Sequence, residues 1–201
     1  MNMRRIAVVA AVGVACALLL KAQSTPSPGI LKRYASWQGQ DRFQVVDTQR
    51  LPGAMTRTVK TKTGDKSVLM IDGYRVLIAL DEAQPFANTK VEEFDPRRYE
   101  GDKKTIIEGL ESFIASDPPG YETPTPQRKQ VNGYEIISVG RKELKGGVLS
   151  VVNIFDDKNH IIVTAYLLNA PEERKFKDLE EFQRLRDRFA ELFTAAMKAQ
   201  T

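Results

Sequence analysis

The segment from His160 to Leu168 (HIIVTAYLL) constrains the fold of this chain more than any other. Read as a strand, it puts Ile161, Val163, Ala165 and Leu167 on one face and Ile162, Thr164, Tyr166 and Leu168 on the other. A strand that is apolar on both faces has to be covered on both faces. Two amphipathic helices are available as covers. The first starts near Asp102 as its cap and carries Ile106, Ile107, Leu110, Phe113 and Ile114 at helical spacing. Asp117-Pro118-Pro119-Gly120 stops it. The second opens at Asp178, with Glu181 three residues on as a capping box. It turns Phe182, Leu185, Phe189, Leu192, Phe193 and Ala196 to one side. Its acidic residues Asp178, Glu180 and Glu181 precede Arg184, Arg186 and Arg188, the order that the helix dipole favours.

The remaining patterns are those of strands. Ala54 to Thr63 alternates Thr and Val with basic residues, as a half-exposed strand does. A turn at Thr63-Gly64-Asp65-Lys66 leads into a strand from Ser67 to Ile71, and Asp72-Gly73 then signals a two-residue hairpin before Tyr74 to Leu80. Gln84 to Glu100, punctuated by Pro85, Asp95 and Pro96, reads as irregular chain. Pro118 to Pro126 (PPGYETPTP) holds four of the ten prolines and reads as an extended surface loop. Val131 to Gly140, Val148 to Phe155 and His160 to Leu168 follow as strands, joined by turns at Lys145-Gly146-Gly147 and Asp156-Asp157-Lys158-Asn159. The expected class is therefore α+β: an antiparallel sheet with two amphipathic helices in a three-layer αβα sandwich. The alternative puts both helices on one face of the sheet. The order of elements loosely resembles that of the PsbP/Mog1-like sandwich, a small binding-type fold. The resemblance covers element order alone and assigns a role to no residue.

The first residues give an address. Arg4 and Arg5 precede an apolar run of 15 residues from Ile6 to Leu20, and Ala22-Gln23-Ser24 supplies small residues for cleavage. At a rise of about 1.5 Å per residue the run reaches about 22 Å, short of the ~30 Å hydrocarbon core of a bilayer. The expectation is a secretory signal at residues 1–24, a linker and N-terminal segment at 25–40, and one α+β domain at 41–201. Retention of the run as a membrane anchor is the alternative, and lipidation at Cys16 a third. If the anchor stays, Ile30, Leu31, Tyr34 and Trp37 form a short interfacial helix on the membrane. Otherwise they form a single turn whose Tyr34 and Trp37 dock on the domain. Cleavage after Ser24 removes Arg4, Arg5, Lys21 and the only cysteine, leaving 27 basic against 26 acidic residues. A net charge near +1 argues against nucleic acid as a partner, and a cysteine-free chain has no disulfide, thiolate nucleophile or thiolate metal site.

No strong chemical motif emerges, so no catalytic residue, metal or cofactor is assigned. His160 is the only histidine, so a hydrolase would have to use it as base, with Asp156 or Asp157 orienting it. Asp156, Asp157 and Asn159 also offer oxygen ligands, but without the Gly and bidentate Glu of an EF-hand loop. The adjacent acids Asp81-Glu82 and Glu92-Glu93 read as solvated surface, and the pairs Arg97-Arg98, Lys103-Lys104, Arg128-Lys129 and Arg141-Lys142 as solubilising faces. Two features suit binding. One is the loop with Pro118, Pro119, Tyr121, Pro124 and Pro126, stiff enough to present itself to a partner protein. The other is a sheet face bearing Ser150, Val152, Thr164 and Tyr166, able to line a pocket for a small apolar ligand. The expected function is an exported, non-enzymatic domain that binds a partner protein or small ligand in the cell envelope. The alternatives are the cofactor-free hydrolase and a membrane-tethered envelope component.

Overall fold

Runs of β-branched and aromatic residues build one antiparallel sheet. The structure, a computed structural model, describes residues 29–81, 84–115, 125–142, 148–169 and 179–199. It is an α+β fold. Among the described residues there are nine strands: β1 (Gly39–Gln40), β2 (Phe43–Arg50), β3 (Met55–Thr61), β4 (Gly64–Leu80), β5 (Gln84–Phe94), β6 (Gln127–Val131), β7 (Tyr134–Lys142), β8 (Val148–Asp156) and β9 (Ile161–Asn169). They lie in the order β1-β2-β4-β5-β9-β8-β7-β6, with β3 paired to β4 off that path. Three helices accompany them among the described residues: α1 (Ile30–Ala35), α2 (Tyr99–Ala115) and α3 (Leu179–Ala199).

The two-faced strand is buried on both faces from Ile161 to Ala165, whereas Tyr166 stays 40% exposed. Ile161, Val163, Ala165 and Leu167 pack in a cluster with Val76, Ile78, Val152 and Ile154 and with Phe182, Phe189 and Phe193 of α3. Ile162 belongs to a second cluster with Val68, Phe94 and Phe155 and with Ile106 and Leu110 of α2. The Tyr34 and Trp37 side chains are buried in the first cluster, where Trp37 meets the edges of Phe189 and Phe193 at ring-centre distances of 5.8 and 5.2 Å. The turn that docks on the domain is thus the observed form. The face that an interfacial helix would lend to a membrane is spent on the core. Among the described residues, no helix is long and apolar enough to cross a membrane.

Four sequence expectations are corrected. Asp72-Gly73 is no hairpin: β4 runs through it for 17 residues, and neither residue has the positive φ that a type I′ turn needs. The pair instead sits where the register with β5 slips between Met70 and Asp72. There the Asp72 carboxylate accepts from the Gly73 N–H at 2.8 Å and from Arg50 at 2.8 Å. Gln84 to Phe94 is no irregular chain but the central strand β5, between β4 and β9. Its Pro85 falls at a second register slip, between Ile78 and Ala79 of β4, so regular pairing holds only from Ala87 onward. The helix expected at Asp102 starts at Tyr99, because Asp95 closes the preceding turn by accepting from the Arg97 N–H at 2.8 Å. The strand expected from Val131 to Gly140 begins only at Tyr134. Asn132 (φ 53°) and Gly133 (φ 92°) form a two-residue turn, and β6 precedes it. Asp178, the expected cap of the last helix, lies outside the described residues.

Candidate functional site

Strand β3 pairs with β4 only over Gly64–Met70, and from there it lies against α2. Helix α2 comes close because Gly109 has no side chain: a Cβ there would overlap Val59 Cγ1. Between β3, α2 and the sheet lies a cavity of about 430 Å³. Its floor is β8 and β9, where the register sets Asn153 opposite Thr164 and Val151 opposite Tyr166. Ile106, Gly109 and Leu110 form one wall, and Arg57, Val59 and Lys60 the other. Tyr166 is 40% exposed, among the few large apolar side chains left open to solvent.

Few polar groups reach this space. On the floor the Thr164 hydroxyl donates to Asn153 Oδ1 at 2.9 Å, and both residues are buried. Arg57 Nη2 lies 2.9 Å from Glu92 Oε2, an ion-pair distance. The two are out of line for a hydrogen bond, and Arg57 Nε and Glu92 Oε2 have no hydrogen-bond partner. Glu92 is only 3% exposed. Burial pushes its carboxyl above the usual carboxylate range, against the opposing pull of Arg57 and Lys90. The site is thus a mostly apolar hollow with a hydroxyl–amide pair on its floor and an under-bonded guanidinium in its wall.

The expected sheet-face site is half right. Thr164 and Tyr166 line the cavity, but Ser150 and Val152 point through the other side of the sheet. Val152 lies in the α3 cluster, and the buried Ser150 hydroxyl donates to the Val139 carbonyl at 2.5 Å. Of the expected proline loop, Pro118, Pro119, Tyr121 and Pro124 lie outside the described residues, while Pro126 is half-buried just ahead of β6.

The β8–β9 turn is more tightly braced than a hairpin tip commonly is. The buried Asp156 accepts from the Tyr34 hydroxyl at 2.8 Å and from Asn159 Nδ2 at 2.6 Å. Asp157 accepts from the Tyr99 hydroxyl at 2.6 Å and from Lys103 at 2.8 Å. Burial opposes ionisation of Asp157, but Lys103 and Tyr99 outweigh it and hold the carboxyl below its usual range. His160 adopts φ 57°, and its half-buried ring meets that of Tyr99 edge-on at 5.2 Å. Both carboxylates are therefore engaged by groups other than His160. Among the described residues, no group of three or more His, Cys, Asp or Glu could hold a metal ion.

Sequence reasoning missed Arg57 and Glu92. Glu92 was expected on solvated chain beside Glu93; it is instead buried in a central strand, with Glu93 on the opposite face. The alternation of Ala87, Thr89 and Val91 with Asn88, Lys90 and Glu92 could have found the strand, but it sets Glu92 on the polar face. The expected solubilising pairs are largely neutralised: Arg97 by Asp95, Arg98 by Asp102, Lys103 by Glu135 and Lys129 by Asp187. No family model, curated protein or solved structure matches the chain.

Proposed function

We propose that this protein is an exported, non-enzymatic domain that binds a small, mostly apolar ligand between α2 and the β8–β9 face. The cavity of about 430 Å³ carries the reading. Ligand pockets commonly span about 300–1,000 Å³ and combine apolar walls with a few fixed polar groups, as Val151, Leu110 and the Thr164–Asn153 pair do here. The helix–sheet–helix layering belongs to the same proposal, supported by α3 and α2 joining different core clusters. Export rests on the layout of residues 1–24.

A fluorescent apolar probe titrated into the protein tests the binding reading. Saturable one-to-one binding is expected, lost when Val151→Trp fills the floor while the fold is retained. Binding that never saturates, or that is unchanged in the filled variant, would overturn it. Intact-mass measurement on protein from its native cell tests export by cleavage. A chain beginning at Thr25 is expected, and one retaining Met1 to Ser24 would sink cleavage.

A further inference from the structure

We propose that the cavity selects ligands with an anionic head group on an apolar body, held at Arg57. The inference rests on the binding reading above and names the ligand class for that site. Arg57 lines the cavity with its side chain 23% exposed, and its Nε has no hydrogen-bond partner. Among the described residues the carboxylate paired with it is Glu92, at 2.9 Å and without hydrogen-bond alignment. A guanidinium offers five donors in a planar fork, and a bidentate anion is the group that fits it best. No acidic residue lines the cavity among the described residues. An anionic head group entering from solvent therefore meets a guanidinium with unused donors. Leu149, Val151 and Leu110 receive the apolar body, and the hydroxyl–amide pair of Thr164 and Asn153 follows Val151 along the floor. Charge-assisted hydrogen bonds formed away from bulk water are the stronger kind, so the head group sets preference while the body sets baseline affinity.

Calorimetric titration with decanoate and with decanol separates head group from body. Wild-type protein is expected to bind decanoate about tenfold or more tighter than decanol, the ratio for one charge-assisted hydrogen bond. Glu92→Gln removes the competitor for Arg57 and is expected to raise decanoate affinity with decanol unchanged. The double variant Arg57→Met with Glu92→Gln leaves no unpaired buried charge, so it keeps the fold. It is expected to bind both ligands alike, at the decanol level. Equal wild-type affinities would overturn the anion inference and leave the cavity reading standing, as would a preference that survives in the double variant. Binding of neither ligand would overturn both.

Discussion

Burying Glu92 in β5 raises its carboxyl above the usual range, and that has a consequence for stability. A carboxyl with a raised folded pKa contributes stability that is fully present below its unfolded value, about 4.3, and is lost as pH rises through the folded value. Relative to Glu92→Gln, wild-type protein is therefore expected to lose unfolding free energy between about pH 4 and neutrality. Urea unfolding of both proteins across that range checks the sign; parallel curves would mean that Glu92 titrates as it does in the unfolded chain. Tyr34 supplies a second residue-scale test. Its hydroxyl is buried against Asp156, which, after the larger effect of burial, raises its pKa. Tyr34→Phe deletes this donor to a buried carboxylate and is expected to cost about 1.5–3 kcal/mol, measured by chemical denaturation. Arg186 marks the limit of sequence reading at this scale. Its place among Arg184 and Arg188 suits the helix dipole, yet it is 1% exposed and donates to Gln127 of β6 at 3.1 Å. Its spacing, four after Phe182 and three before Phe189, does set it on the buried face; what the sequence leaves open is Gln127 as its partner.

Among the elements, α3 was the most legible, because a stripe of large apolar residues at helical spacing admits one burial. Phe182, Phe189 and Phe193 are fully buried and Leu185 and Ala196 partly so, as the spacing requires. Strand β5 was the least legible. Pro85 and two acids argue locally for loop, and pairing with β4 and β9 on either side overrides them. Asp72-Gly73 failed for a related reason: the same dipeptide serves a turn or a bulge, and the long partner β5 runs past it, pairing Gly73 with Glu92 and Met70 with Phe94, to settle which. Packing of α2 on β3 gives the element-scale prediction. Gly109→Ala improves helix propensity by about 1 kcal/mol, but its Cβ overlaps the stiff Val59 side chain. Overpacking costs of about 1–3 kcal/mol prevail, so a net loss of stability is expected by thermal melting. A stabilised Gly109→Ala protein would show that β3 yields to the helix.

For the whole molecule, α1 is a structural part of the core. Leu31, Tyr34 and Trp37 are each at most 5% exposed, and burying such side chains contributes about 1.5–3 kcal/mol apiece. Together that approaches the ~5–15 kcal/mol by which domains are stable. A chain beginning at Thr25 is thus expected to melt cooperatively like the full chain, whereas one beginning at Gln38 loses its cooperative transition in calorimetry. An unchanged melt of the shorter chain would remove α1 from the core's accounts. The sheet's outer strands are guarded by charge: β6 (QRKQV) carries Arg128 and Lys129, and β3 carries Arg57 and Lys60. Charged edges discourage pairing with other chains.

By itself the sequence determined the α+β class, the two-faced burial of β9 and the buried stripe of α3, because hydrophobic periodicity is a local property of consecutive residues. For Tyr34 and Trp37 it left two places open, a membrane surface or the core, and the structure places them in the core. Only the tertiary structure decided the rest. Which residues share a face across strands depends on register: Asn153 and Val151, not Ser150 and Val152, lie beside Thr164 and Tyr166. The meeting of Arg57 with Glu92, 35 positions apart, depends on β3 reaching across the sheet beside α2. Such pairings are long-range events, and no local pattern of residue types encodes them.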